Sequence, residues 1–267
     1  MQDTQLAADL VIGILGASIK HRCRRSQAGN LTWTRRPHTA MQGAFAEHQA
    51  MLQKLSAKGR RRVEVVQVRT PEELRRCDGL IIPGGESTTI ALLARLSGMM
   101  EPLREFVGAK PVWGTCAGAI LLAQAVSNPK RGGQELLHGV SVEITRNGWG
   151  SQVESFEAPL EVSGLRNAEV PFTGVFIRAP VIAELIEAAH DSQQQPIKVL
   201  SRISRSLLPS SLPDGGGDVS AAQTVVALRQ GRHLLTTFHP ELTDDDRFHE
   251  YFVQECVIPS LASRRNG

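Results

Sequence analysis

Aromatic side chains are scarce in this 267-residue chain: 8 Phe, 3 Trp and 1 Tyr, or 4% of the total. Its core must therefore come chiefly from Val, Ile, Leu and Ala, and a hydrophobic content of 41% is enough for a sizeable one. The length suits one large α/β domain or two small ones. Long apolar runs are also missing. None reaches the ~18 residues that a membrane-spanning helix needs, so no membrane partner is expected. The first ten residues, MQDTQLAADL, hold no basic stretch backed by an apolar one, so no secretory signal is expected. The four cysteines, Cys23, Cys77, Cys116 and Cys256, are scattered without metal-ligand spacing. The expectation is no metal, and reduced thiols in a cytoplasmic protein.

Acidic residues are absent from one segment. Residues 17–40 contain six Lys/Arg and no Asp or Glu, and without those six the formal charge of +3 would become −3. The basic character belongs to that segment and not to the body of the protein, which argues against nucleic acid as a partner.

The remainder alternates short apolar runs with helix-like stretches. LVIGIL (10–15) reads as a buried strand, VEVVQV (63–68) and PVWG (111–114) as strands, and GLIIPGG (79–85) as a strand running into a glycine turn. Between them, residues 44–59 have helical spacing, and Thr70-Pro71 opens a short helix with a cap and an N1 proline. Helical stretches also follow residues 88 and 101, and a helix is expected over 117–126. This βαβαβ order predicts a mostly parallel, doubly wound sheet with right-handed crossovers. The second half is richer in strands, expected at 139–145, 158–164, 171–180 and 198–203. A hairpin over 222–242 turns near Gln230-Gly231, and a helix follows. Residues 204–221 are rich in Ser, Pro, Gly and Asp and read as a flexible loop.

One corner carries the chemistry. Gly114-Thr115-Cys116-Ala117-Gly118 fits the pattern of a nucleophile elbow between a strand and a helix. Such a turn lifts the side chain above the carboxyl edge of the sheet, and the helix N-terminus behind it favours negative charge. A free thiol is only a few per cent ionised at neutral pH, so a base is required. His239 is the candidate, in TTFHPEL just past an apolar strand, with Glu241 two residues on to hold its other nitrogen. His48, His138 and His249 read as packing or capping residues. Pro83-Gly84-Gly85-Glu86 also ends a strand. The amides of Gly85 and Ala117 are the candidate donors to the oxyanion of a tetrahedral intermediate.

Taken together, six stretches resemble class I glutamine amidotransferases, and more closely the SNO/PdxT family of glutaminase subunits of pyridoxal 5′-phosphate synthase. They are MQGAFAEH (41–48), PGGESTT (83–89), GTCAGAILLA (114–123), RNGWGSQVESFE (146–157), FIRAP (176–180) and HPELTDDDRFHEYF (239–252). The resemblance implies a three-layer, flavodoxin-like α/β domain with a mostly parallel central sheet and additional antiparallel strands. It implies hydrolysis of L-glutamine to L-glutamate and ammonia through a thioester on Cys116, with His239 as base and then acid, and Glu241 as orienter. Gly85, Glu86, Ser87, Arg146, Ile177 and Arg178 match the family's glutamine contacts. The ammonia would pass to a separate synthase subunit in a large heteromeric complex, and no cofactor or metal would be needed.

Two departures stand out. Trp149 and Ser151 replace the Phe and Arg usual in the family, which bears on partner contacts more than on hydrolysis. More conspicuously, GIL (13–15) and MQGAF (41–45) are separated where the family runs one into the other. A single domain over 10–260 is expected, with 16–40 an atypical basic insertion. That insertion reads as a retained intron in the gene model, with a genuine lineage-specific loop as the alternative. Competing functional readings are a non-catalytic scaffold subunit, the amidotransferase subunit of another pathway, and a cysteine peptidase on a related fold.

Overall fold

A computed structural model describes residues 10–16, 44–58, 62–127, 129, 133–146, 148, 155–187, 194–208 and 219–265. The basic insertion beyond Gly16, the Met41–Gly43 stretch, Cys23, Trp149, Ser151 and residues 209–218 of the Ser/Pro/Gly-rich loop lie outside the described residues.

The first half follows the expected alternation. Strands β1 (Leu10–Leu15), β2 (Val63–Val68), β3 (Gly79–Ile82) and β4 (Val112–Thr115) alternate with helices α1 (Phe45–Lys58), α2 (Pro71–Arg76), α3 (Ser87–Leu96), α4 (Met100–Ala109) and α5 (Ala117–Leu122). Local chemistry fixes several boundaries. The Thr70 side chain accepts from Glu73 N, and the Glu73 carboxylate accepts from Thr70 N. This capping box, with Pro71 at the first helical position, starts α2 abruptly.

The central sheet has seven strands. In spatial order these are β10 (Ile197–Arg202), β11 (Val225–Gln230), β12 (His233–Thr236), β4, β3, β1 and β2. The run β12-β4-β3-β1-β2 is parallel, and β10 and β11 add antiparallel strands at one edge. The chain steps from β1 outward to β2, then back across β1 to β3 and on to β4. With right-handed crossovers, that reversal puts α1 on one face and α2, α3 and α4 on the other. The two buried clusters agree. Leu10, Ile12 and Ile14 pack with Leu52 of α1 and with Trp113, Phe248 and Phe252. Leu80 and Ile82 pack with Leu74, Ala91, Leu103, Phe106 and Ile120 from α2 to α5. The result is three layers, helix–sheet–helix.

Beyond the hairpin come α6 (Arg247–Tyr251), a π-helical stretch over Phe252–Val257, and α7 (Ile258–Arg265). Three expectations shift. The helix expected over 117–126 ends at Leu122, and Ala123–Ser127 form β5, paired with β6 (Val140–Thr145). LLAQAV is apolar enough for either state, and the neighbouring strand decides it. The strand expected at 158–164 lies at β7 (Ser155–Leu160), paired with β8 (Phe172–Ile177). Finally, β9 (Val181–Leu185) completes a three-stranded sheet with β6 and β5 that periodicity did not reveal.

Candidate active site

Three loops converge at the carboxyl ends of β3, β4 and β12, where open α/β sheets form their clefts. The turn after β4 is tight. Cys116 sits at φ 48°, ψ −105°, a costly conformation for a residue with a side chain, and its N–H donates to Thr236 O at 2.9 Å. The flanking glycines are required by contact. A Cβ on Gly114 would lie 2.5 Å from Gly118 O, and one on Gly118 would lie 1.8 Å from Ile82 O. The elbow is thus wedged against the end of β3. Ala117 opens α5, so its N–H has no carbonyl one turn earlier to bond.

His239 follows β12. Its N–H donates to Val175 O at 2.8 Å, which ties the loop to β8. Its Nδ1 lies 2.8 Å from Glu241 Oε1, leaving Nε2 for the thiol of Cys116, which is near enough to influence the charge of the ring. Cys116, His239 and Glu241 are all buried. Burial works against a charged imidazole, yet hydrogen bonds to Cys116 and Glu241 together with their negative charge push the His239 pKa up to about 10. Burial penalises the Glu241 carboxylate, but the hydrogen bond and the positive charge of His239 oppose that penalty, and the carboxyl stays below its ordinary range. Cys116 Sγ also lies 4.0 Å from Ile177 O.

The Pro83–Glu86 turn brings the other expected residues to the same place. Gly85 has φ +141° and is exposed, next to buried Gly84. Glu86 caps α3 through Thr88 N and meets Arg146 Nη2 at 2.5 Å. Arg146 Nη1 and Ser87 Oγ both donate to Gln134 Oε1, at 3.2 and 3.1 Å. Arg178 follows β8 at φ 43° and is exposed.

The two other described cysteines differ in kind. Burial raises the thiol of Cys77 to about 11 and that of Cys256 to about 12, which leaves them inert. His138 is exposed, and its Nδ1 lies 3.1 Å from Gln124 O, so the packing expected of it is not seen. Gln134, which joins Ser87 to Arg146, escaped the sequence reading, while His48 and His249, expected only to pack or cap, stand in line behind Glu241, His48 against its carboxylate and His249 against His48. A signal existed for His48. Phe45, His48, Met51, Leu52 and Leu55 recur at helical spacing, which places the imidazole on the apolar stripe of α1. Among the described residues no group of His, Cys, Asp and Glu is arranged to hold a metal, and no helix is long and apolar enough to cross a membrane.

A cysteine elbow at the end of the central parallel strand, with a His-x-Glu loop on the next strand, is the architecture of the class I glutamine amidotransferases. The description SNO glutamine amidotransferase family matches residues 39–258, and the chain belongs to that family. It is 44% identical over 216 residues to the pyridoxal 5′-phosphate synthase subunit PdxT of Chloroflexus aurantiacus, covering 80% of this chain and 96% of that protein. It is 42% identical over 224 residues to the probable pyridoxal 5′-phosphate synthase subunit PDX2 of Arabidopsis thaliana, covering 80% and 83%. A crystal structure of a glutamine amidotransferase superposes with a TM-score of 0.62 at 39% identity, covering 80% of this chain and 95% of that one.

Proposed function

We propose that this chain is the glutaminase subunit of a pyridoxal 5′-phosphate synthase, hydrolysing L-glutamine and supplying the ammonia for vitamin B6 biosynthesis. The observation that carries the catalytic assignment is the buried convergence of Cys116, His239 and Glu241 on one edge of the sheet. In this reading the Cys116 thiolate attacks the carboxamide carbon while His239 holds the proton on Nε2. The amides of Gly85 and Ala117 receive the oxyanion. Collapse of the intermediate breaks the C–N bond, His239 protonates the leaving nitrogen, and ammonia departs. Water, deprotonated by His239, then attacks the thioester. Glutamate leaves and the thiol is restored. Arg146 with Glu86, and the turn at Ser87, hold the charged end of the substrate, with Ile177 and Arg178 lining the opposite side. Ammonia passes to a synthase subunit in a heteromeric complex.

The test measures glutamate release with and without the cognate synthase subunit. Release that needs the partner and is abolished by Cys116→Ala supports the reading. Release that survives Cys116→Ala overturns it, and no release from the intact chain in the complex favours a scaffold.

The domain assignment extends this proposal. β1 pairs with both β2 and β3, so residues 10–15 belong to the same domain as the elbow. The family match nevertheless begins only at residue 39. The interruption falls between two pieces of one domain, and a retained intron accounts for it, with a lineage-specific loop as the alternative. A transcript carrying these codons across the junction would refute it.

A further inference from the structure

Glu241 is reached from behind as well as from the catalytic side. Its Oε1 meets His239, and its Oε2 lies 3.6 Å from His48 Nε2. His48 Nδ1 is in turn 2.8 Å from His249 Nε2. Both rings are completely buried, edge-on to Trp113 with centroids 5.6 and 4.9 Å away. Neither His48 Nε2 nor Glu241 Oε2 has an ordinary hydrogen bond to another described residue. In sequence His48 and His249 are 201 residues apart, on α1 and α6.

We infer that His48 is a positioning residue for the triad: its Nε2–H aims at Glu241 Oε2, and His249 fixes the tautomer that makes this possible. The inference rests on the glutaminase reading above. The proton count permits one neutral arrangement. An ionised carboxylate only accepts, so His48 must carry its proton on Nε2. Nδ1 is then an acceptor, and His249 must donate to it from Nε2. His249 Nδ1 is left as a bare acceptor, matching its lack of any partner among the described residues. A cationic His48 would instead donate from Nδ1 and require the opposite tautomer of His249, leaving a buried N–H orphaned, a costlier arrangement.

The titratable and charged groups facing His48 are Glu241 and His239 from the loop after β12, His249 from α6, and Glu47 on its own helix. Burial is the largest influence on both rings and keeps them neutral. Neutrality matters. A second cation beside Glu241 would weaken its hold on the imidazolium of His239, whereas a neutral N–H orients the carboxylate and leaves its charge for His239. Hydrogen bonds of this kind are often long before substrate arrives and shorten in the reacting complex.

The experiment compares His48→Gln with His48→Met in the assembled complex with the synthase subunit. The two side chains have similar length and volume, but only Gln offers an N–H at the position of Nε2. The Met variant should lose about 10–100-fold in kcat with KM unchanged, the range typical of outer-shell partners, while Gln stays within about threefold of wild type. Equal kcat in the two, or a loss expressed in KM, overturns the inference. Wild-type and Cys116→Ala controls separate the two failures, since the functional reading falls only if the wild type is inactive or the cysteine variant active. A second readout needs no variant: imidazole ¹⁵N shifts of the wild-type chain at neutral pH should show His48 and His249 both neutral and both protonated on Nε2. An Nδ1–H tautomer or a cation at His48 overturns the inference, whether or not either variant folds.

Discussion

The imidazole of His239 occupies the space that a side chain at Gly84 would need: a Cβ there would lie 2.4 Å from His239 Cε1. The glycine pair at the end of β3 therefore does two separate things. Gly85 takes a positive φ that exposes the turn, and Gly84 makes room for the base. Gly84→Ala should leave the fold intact, because the first atom it meets belongs to a side chain. The ring must move, however, and a displacement of about 1 Å at a reacting group costs about 10²-fold in rate. Steady-state glutamate release alongside a thermal melt checks this; a lowered melting point with normal kcat would contradict it.

Gly118→Ala should fail in the opposite way. Its added Cβ would fall 1.8 Å from Ile82 O, a backbone atom inside the β3 ladder that cannot step aside. The expected destabilisation exceeds the ~1–3 kcal/mol of ordinary overpacking. Chemical denaturation should show the loss directly, and a variant as stable as wild type would mean that the elbow is not wedged against β3.

Replacing Glu241 by Gln keeps the shape and removes the charge that raises the His239 pKa. The amide can also present the wrong group to Nδ1 and favour the wrong tautomer. A drop in kcat of about 10⁴-fold is expected, the scale seen when the orienting carboxylate of another triad is made an amide. Titration of His239 by NMR should move downward in the same variant. An unchanged His239 titration would show that Glu241 does not set it.

How far these features were readable from the chain depended on the range of the interaction. The Cys116 elbow was legible because its glycines, strand and helix lie within a few residues of one another. His239 and Glu241 were legible because two residues of separation and a proline fix their relative direction. The parallel sheet followed from alternating runs whose crossovers have one hand. What escaped was set by contacts between distant segments. His48 and His249 look like ordinary helix residues until α1 and α6 pack on the same face of β4. Ala123–Ser127 reads as the tail of a helix until β6 offers it a ladder. Gln134 sits in a stretch with no periodicity, and only the fold brings it between Ser87 and Arg146.

Buried histidines also predict how stability responds to pH, with two opposite signs. Burial, then the charge of Arg232, lower the His233 pKa from 6.5 to about 4. Between those values the unfolded chain binds a proton that the folded chain refuses. Its contribution is therefore complete above pH 6.5 and is lost as pH falls toward 4, with a slope of about 1.4 kcal/mol per pH unit. His48 and His249, also lowered, act in the same direction. His239 acts oppositely. Raised to about 10, it contributes stability that is present below pH 6.5 and fades as pH climbs through 10. Denaturation measured from pH 4 to 10 should show stability falling at both ends. Other groups titrate there too, so the comparison that isolates each term is with a variant. His233→Gln should flatten the acid limb and leave the alkaline one alone, because its imidazole lies at the start of β12 while His239 lies past its end. An acid limb as steep in the variant as in the wild type would place the proton uptake elsewhere.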